Sequence, residues 1–389
     1  MKSKRVLIVG NLYALTKRIS SYADEVFVAP GDPEIAKIAK CVDIREDEPN
    51  ELLKFALEND IDLTIAISEK SIKSDISSVF QANEMKIFAP TAKSAECVLN
   101  KSAGKKFLYK LHAKTPKFGI FEKSQLAVDF IKNSSFPIVI SGDSVNSQKY
   151  CCTTFERAKY HIEDLFLSGE DKVVIQDFVY GTDSVLYAVS DGYHVVPVTS
   201  VHYFRFSENG DGGILTSGVG TYVPDNKMSF DLLKDVFNDV IANGIKSLES
   251  KEMPYMGIIG ADVVLTKDGY SVLNFRPFFS DIDAQAILNC VDENLLELFE
   301  ACANGFFADE YDDIVINENS SVSCFIRPKH KDFSLPDSEL IDSDYSKAKD
   351  GYVMTSSAKT LSRAKKILKS DFEKIGLDKI KFRSDLLEC

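Results

Sequence analysis

The chain has 389 residues, and its 46 Lys and Arg residues against 59 Asp and Glu residues give a formal charge of −13. With 44% hydrophobic and 27% charged residues, it has the composition of a folded protein of two or three domains rather than of a disordered chain. The acidic balance argues against nucleic-acid binding, and no apolar run is long enough to cross a membrane. The short apolar run at positions 6–9 is also too brief for a signal peptide, so we expect a cytoplasmic protein.

Neither the eight cysteines nor the five histidines suggest a zinc site. No C-x-x-C pair is present, and the histidines lack the spacing of zinc ligands. Most of the cysteines lie in apolar runs, where a reduced cysteine behaves as a small hydrophobic residue. We therefore expect buried, reduced cysteines.

Short apolar runs alternate with helical patterns in the first ninety residues. Helices are predicted at 34–40 and 50–59. Strands are predicted at 6–9, 25–29, 62–67 and 86–88. This alternation predicts a parallel sheet, whose ligands gather at the carboxyl ends of its strands. Gly10 lies at such an end, but no second glycine follows in 11–14, so either a turn or a ligand contact would explain it.

A strongly basic segment follows, and residues 92–114 are predicted to be helical. Lys93 lies near its start, and five further lysines follow at positions 101, 105, 106, 110 and 114. A solvated helix face and a surface that faces an anion are both consistent with this pattern.

The remainder of the chain predicts several strands and a hairpin. Strands are expected at 136–140 and 173–175, and the sequence Lys267-Asp268-Gly269 predicts a tight turn between strands at 257–265 and 270–275. A glycine-rich segment occupies 209–220, and a small unit of strands and a helix is expected from about residue 320.

Several motifs occur in an order that resembles a known family. They are Val28-Ala29-Pro30-Gly31, Pro137-Ile138-Val139-Ile140, Gln176-Asp177-Phe178-Val179, Ser217-Gly218-Val219-Gly220 and Ser280-Asp281-Ile282-Asp283. This order resembles the phosphoribosylamine-glycine ligase family, which comprises ATP-grasp ligases of purine biosynthesis. The resemblance implies a multidomain α/β and α+β fold. Its parts would be a Rossmann-like parallel domain (1–99), a small ATP-grasp lobe with its connecting helix (100–188), a large lobe (189–318) and a C-terminal β/α domain (319–389).

The resemblance also implies which residues contact ATP. Those expected to bind the nucleotide are Lys101, Asp143, Gln176, Asp177 and Asp183. Those expected to act on the transferred phosphoryl group are Lys149, Arg276 and Asp283.

Magnesium is implied too, but the ligand positions are altered. The family has a Glu-x-Asn pair where this chain has Asn274 and Arg276, so Asn274 and Asp262 are the remaining candidate ligands. Arginine offers only donors and cannot coordinate a cation. Arg276 would therefore either contact a phosphate in place of metal or pair with Asp262 or Asp281.

The implied substrates are a small-molecule carboxylate and an amine, bound near Gly10, Glu69 and Asp281 by a monomer or homodimer. Other family positions have changed, with Ser141 replacing a lysine and Phe278 replacing an arginine. Three functions therefore stay open: an ATP-dependent carboxylate–amine ligase, a ligase with a different substrate pair, and a relative that binds nucleotide or a partner without turnover.

Overall fold

The structure is a computed structural model that describes residues 4–330, 333–336, 340–348 and 350–388. Its amino-terminal part is a parallel sheet in the order β3-β2-β1-β4-β5, as the alternating pattern predicts. The five strands are β1 (Arg5–Val9), β2 (Glu25–Ala29), β3 (Lys40–Cys41), β4 (Leu63–Ala66) and β5 (Ile87–Phe88). The helices are α1 (Tyr13–Ser20), α2 (Pro49–Glu58), α3 (Glu69–Lys73) and α4 (Ile76–Gln81). Every residue of β4 is buried, as expected for a central strand covered on both faces.

A small lobe follows two connecting helices, α5 (Glu96–Leu99) and α6 (Lys101–Lys110). Its antiparallel sheet has the order β6-β9-β7-β8. The strands are β6 (Phe118–Phe121), β7 (Ile138–Gly142), β8 (Lys149–Cys152) and β9 (Val173–Asp177), and the helices are α7 (Ser124–Ile131) and α8 (Phe155–Leu167). Apolar side chains of both helices pack on one sheet face and give this lobe its own core.

The large lobe is built around long antiparallel strands. They are β10 (Thr182–Gly192), β11 (Val195–Glu208), β12 (Gly212–Val223), β13 (Tyr255–Thr266) and β14 (Gly269–Arg276). Its helices are α9 (Phe230–Val236), α10 (Asn243–Glu249), α11 (Asp281–Leu288), α12 (Leu295–Asn304) and α13 (Phe307–Glu310). A π-helical segment, Phe237–Ala242, joins α9 to α10.

The carboxyl-terminal unit extends the large-lobe sheet. Its elements are β15 (Ser320–Pro328), β16 (Asp344–Ala348), β17 (Gly351–Ala358), α14 (Leu361–Ile375) and β18 (Ile380–Lys381). Because β12 pairs with β15, the order β14-β13-β10-β11-β12-β15-β17-β16 is continuous, and β18 pairs with β15 beside it. The large lobe and the carboxyl-terminal unit therefore share one sheet. The predicted multidomain fold class, α/β and α+β, is confirmed.

Two local predictions are wrong. The expected helix at 34–40 is only a 3₁₀ turn, Ile35–Lys37, because the chain from Lys40 onward pairs with β2 as β3. Asp32 Oδ1 accepts the backbone N–H of Glu34 and Ile35 and so holds the start of this turn. The expected helix at 92–114 is interrupted at Asn100, whose extended backbone (φ −114°, ψ 120°) forms a bridge to Ser144.

Five of the cysteines that the structure describes are buried, as predicted, whereas Cys41 is exposed and Cys151 is partly buried. Across the described residues, no helix combines the length and apolar character needed to span a bilayer.

Candidate functional site

A cleft between the small and large lobes contains the densest group of charged side chains predicted from the sequence. Three small cavities of about 100, 30 and 20 Å³ lie in it, and Lys149 and Asn274 line all three. We call this region the interlobe cleft. Lys149 enters it from the start of β8, and Asn274 from the end of β14, so each lobe contributes a wall.

Two lysines bring positive charge to the cleft from the small-lobe side. Lys101, the first residue of α6, is 6% exposed and donates from Nζ to the carbonyl of Ser147 (2.8 Å). Lys149 makes no ion pair with any described residue. Burial lowers the pKa of both lysines, because desolvation disfavours the ammonium form. An anionic ligand would stabilise the charged ammonium form of both lysines, because it would supply a partner of opposite charge.

Arg276 provides the third cation and lies between two carboxylates. Its Nε is 2.5 Å from Asp262 Oδ1, and its Nη1 donates to Asp283 Oδ2 over 2.8 Å. Its guanidinium carbon lies 4.5 Å from the ring centroid of Tyr203. The ion-pair alternative is therefore present for Asp262, but the second partner is Asp283 rather than Asp281. Asp281 is instead exposed at the start of α11.

Asp283 is fully buried, and only one of its oxygens has partners. Oδ2 accepts from Arg276 and from the Tyr187 hydroxyl (2.7 Å), whereas Oδ1 has none. Burial raises the pKa of the Tyr187 hydroxyl, so this group stays a donor. A buried carboxylate of this kind depends on the neighbouring guanidinium for its charge balance.

Gln176 and Asp183 lie at the far end of the cleft, where two strands of different lobes approach. Asp183 Oδ2 is 2.8 Å from Arg205 Nε, although the contact is too poorly aligned to count as a hydrogen bond. Burial raises the pKa of Asp183 to about 7. Apolar side chains from both lobes, those of Val139, Phe206 and Leu215, pack together beside this pair and narrow the cleft.

Four other predicted residues line none of the cavities described here. The Asp143 carboxylate accepts the N–H (2.7 Å) and hydroxyl (2.9 Å) of Ser102 and so holds the start of α6. Asp177 is exposed at the end of β9. Gly10, with φ +119°, follows β1 and donates to the carbonyl of Ala29, which agrees with the turn interpretation.

Glu69, the fourth of these residues, joins the amino-terminal part to the small lobe. Its carboxylate accepts from Ser144 Oγ (2.7 Å) and Asn146 Nδ2 (2.6 Å), both in the loop between β7 and β8. We call residues 143–148 the lid loop. Gln148 anchors the same loop on the opposite side by donating to the carbonyl of Leu215 (2.8 Å).

The basic segment contains both exposed and buried lysines. Lys101 and Lys105 are buried, whereas Lys106, Lys110 and Lys114 are exposed. Burial and the charge of Lys149 lower the pKa of Lys105 to about 7. The sequence prediction did not select Lys105 or Tyr203. Helical spacing from Lys101 would have indicated the first, and the two-residue strand period shared with Arg205 the second.

A divalent cation does not fit the arrangement of these residues. Arg276 places donors between Asp262 and Asp283, the carboxylates that could otherwise offer oxygen ligands. The described residues also include no group of three His, Cys, Asp or Glu side chains arranged to hold a metal. Asn274 and Asp262 both line the cavity, but Asp262 is already paired with Arg276.

A much larger cavity of about 540 Å³ lies between the large lobe and the carboxyl-terminal unit. It shares Ser217 and Ser280 with the interlobe cleft, so the two spaces meet at these residues. Asp281 and the basic residues Arg327 and Lys381 line it. We call it the carboxyl-terminal cavity.

Comparisons with known proteins agree with this architecture. A phosphoribosylamine–glycine ligase of Caldanaerobacter subterraneus is 27% identical to this chain. The alignment covers 98% of this chain and 99% of the relative. The crystal structure of the Thermotoga maritima phosphoribosylamine–glycine ligase has a TM-score of 0.74 at 17% identity, covering 97% of both chains. A Hydrogenobacter thermophilus biotin carboxylase domain in complex with MgADP has a TM-score of 0.72 at 11% identity, covering 98% of this chain and 91% of its own.

Two family models match adjacent parts of the chain. The N domain of phosphoribosylglycinamide synthetase matches residues 4–97, and the ATP-grasp (A) domain of the same protein matches residues 99–284. Together they cover the parallel domain and both lobes around the interlobe cleft. The chain therefore belongs to the phosphoribosylglycinamide synthetase family, as its motifs predict.

Proposed function

We propose that the chain is an ATP-dependent ligase that joins a small carboxylate to an amine through an acyl phosphate. A carboxylate oxygen attacks the terminal phosphorus of ATP, and ADP leaves. The amine then attacks the acyl carbon, loses a proton and displaces inorganic phosphate. Both steps require cations that stabilise negative charge on the phosphoryl group.

One observation carries this proposal: Lys101, Lys149 and Arg276 line the same cavity between the two lobes. Three cations from three separate elements meet there, beside a single lining carboxylate, that of Asp262. Such a concentration of positive charge attracts a polyphosphate into an otherwise acidic protein. The phosphates would lie against Lys101 and Lys149, with the terminal phosphate nearest Arg276.

The adenosine would lie toward Gln176 and Asp183, where the cleft is narrow. The two cavities at this end of the cleft have volumes far below the roughly 300 Å³ of a usual small-molecule site. Nucleotide binding therefore requires the small lobe to move outward. The contacts that must part are the packing of Val139 on Leu215 and the lid-loop hydrogen bond from Gln148. Such lid motions accompany catalysis in many ligand-binding enzymes.

The carboxylate and amine substrates would occupy the carboxyl-terminal cavity. It meets the interlobe cleft at Ser217 and Ser280, which line the same cavity as Arg276, so a phosphoryl group bound there would face both spaces. Asp281 and Lys381 line its wall and supply groups that could position an amine and an anionic substituent. By analogy with the relatives, glycine and phosphoribosylamine are the first pair to test.

The test is ADP release from ATP with glycine and phosphoribosylamine. We expect turnover that requires both substrates, and a loss of about 100-fold or more in Lys149→Met, because that lysine has no other partner in the cleft. Lys159→Met is the matched control on the exposed side of α8 and should keep full activity. Absence of turnover, together with retained ATP binding, would instead indicate a nucleotide-binding relative without this reaction.

A further inference from the structure

The guanidinium of Arg276 lies where carboxylate oxygens of two elements converge. Asp262 belongs to β13 and Asp283 to α11, and Arg276 reaches both, over 2.5 and 2.8 Å. Two converging carboxylates are the usual protein contribution to a bound divalent cation. Here the converging charges are balanced by a side chain of the protein itself.

A metal ion would have to compete with this arginine. Its ion pairs are buried, and the five donors of guanidinium leave no acceptor for a cation. A divalent cation placed beside it would also be repelled by its positive charge, and by that of Lys149 in the same cavity. Displacing Arg276 would leave an unpaired arginine against Tyr203 in the closed cleft.

We propose that this chain binds the nucleotide phosphates without a protein-bound divalent cation and that Arg276 takes the place of the metal. This inference rests on the proposed ATP-binding function and narrows it. Arg276 lines the same cavity as Lys101 and Lys149, and its hydrogen bonds to Asp262, Tyr187 and Asp283 involve Nε and Nη1 but not Nη2. The three side chains together supply the positive charge that a metal ion would otherwise bring to the phosphates.

The test compares ADP affinity by calorimetry in buffer with Mg²⁺ and in buffer with EDTA. We expect the two dissociation constants of the wild-type protein to agree within about threefold, because the guanidinium of Arg276 occupies the space between the two carboxylates that could hold the metal. A wild-type affinity that rises about tenfold or more with Mg²⁺ would overturn the inference but leave the proposed function intact. No ADP binding under either condition would overturn the proposed function, and the inference with it.

A variant tests the role of Arg276 directly. Arg276→Asn replaces donors with an amide oxygen beside Asn274 and both carboxylates, so ADP affinity should become about tenfold or more dependent on Mg²⁺. Arg157→Asn, on the exposed face of α8, is the matched control and should behave as the wild type. Unchanged Mg²⁺ dependence in a folded Arg276→Asn protein would contradict the substitution of metal by arginine.

The variant with both Asp262→Asn and Arg276→Asn guards against misfolding, because it removes one buried charge of each sign. The ADP affinity of this double variant should also become dependent on Mg²⁺, through Asp283 and the amide oxygens. The dependence should be weaker than in Arg276→Asn. The wild-type comparison with EDTA requires no variant and decides the proposal even if neither variant folds.

Discussion

Two arginines of this protein each pair with two aspartates, yet they lie in opposite electrostatic settings. Arg276 faces the interlobe cleft, and its partners Asp262 and Asp283 have side chains 10% and 0% exposed. Arg383 is itself buried, whereas its partner Asp211 is 61% exposed. Water solvates the carboxylates of the second cluster but hardly reaches those of the first.

This contrast indicates what each arginine does. Arg383 also donates to the carbonyl of Phe206 and lies over the ring of Phe204, so it fastens the end of the chain to β11. Arg276 keeps two buried negative charges balanced at a cavity wall. The same combination of one arginine and two aspartates therefore forms a structural tie in one place and a candidate phosphate contact in the other.

Replacing Arg276 by methionine should have the largest effect on stability. Two buried carboxylates would lose their counter-charge, and breaking such a pair costs about 3–5 kcal/mol. Urea unfolding at pH 7 measures the loss. Adding Asp262→Asn should recover part of it, and a loss below about 1 kcal/mol would show that water already screens these charges.

Lys105 is a buried basic residue that, unlike the two arginines, has no carboxylate partner among the described residues. Its Nζ donates to Thr115 Oγ1 over 3.1 Å. Since its pKa in the folded state is about 7, against 10.5 in the unfolded chain, the unfolded state binds the extra proton between these values. Wild-type stability should therefore rise with pH across this window relative to Lys105→Met, by about 4 kcal/mol. The difference between the two proteins should level off below pH 7.

Unfolding of both proteins at several pH values between 6 and 10.5 measures this effect. Lys106→Met is the matched control, because the neighbouring lysine is exposed on the same helix. Parallel pH profiles for wild type and Lys105→Met would show that Lys105 stays charged in the folded protein.

Replacing Arg383 by methionine should cost less than the change at Arg276. The aspartates left behind remain partly solvated, so the loss is that of several hydrogen bonds, about 1–2 kcal/mol. Urea unfolding again provides the measurement. A loss equal to that of Arg276→Met would remove the distinction between the two clusters.

The smallest effect on stability is expected for an ion pair in which both side chains are exposed to water. Lys359 and Glu318 form such a pair, with side chains 73% and 90% exposed. Lys359→Met should change the free energy of unfolding by less than about 0.5 kcal/mol. A larger change would mean that exposure does not rank these pairs.

The sequence predicts those parts of the fold that depend on local patterns. The parallel strands and the hairpin around Gly269 were predicted because apolar runs and a turn sequence are local signals. The break at Asn100 was missed, since it depends on a bridge to Ser144 more than forty residues away. The short strand β3 was missed for the same reason, because only pairing with β2 makes it a strand.

The candidate site shows the same limit. Lys101, Lys149 and Arg276 were selected by resemblance, and the structure brings them to one cavity. Asp143 was selected on the same basis, but its carboxylate holds the start of α6. Which aspartate accompanies Asp262 beside Arg276 depends on how α11 packs against β12 and β15 of the large sheet, and no local pattern specifies that packing.

The pairing of β12 with β15 has a mechanical consequence. One continuous sheet carries the large lobe and the carboxyl-terminal unit, so the walls of the carboxyl-terminal cavity are joined by backbone hydrogen bonds. The small lobe has a separate sheet and can swing outward without stretching that one. Because no small-lobe residue lines the carboxyl-terminal cavity, we expect an outward movement of the small lobe to leave the walls of that cavity in place.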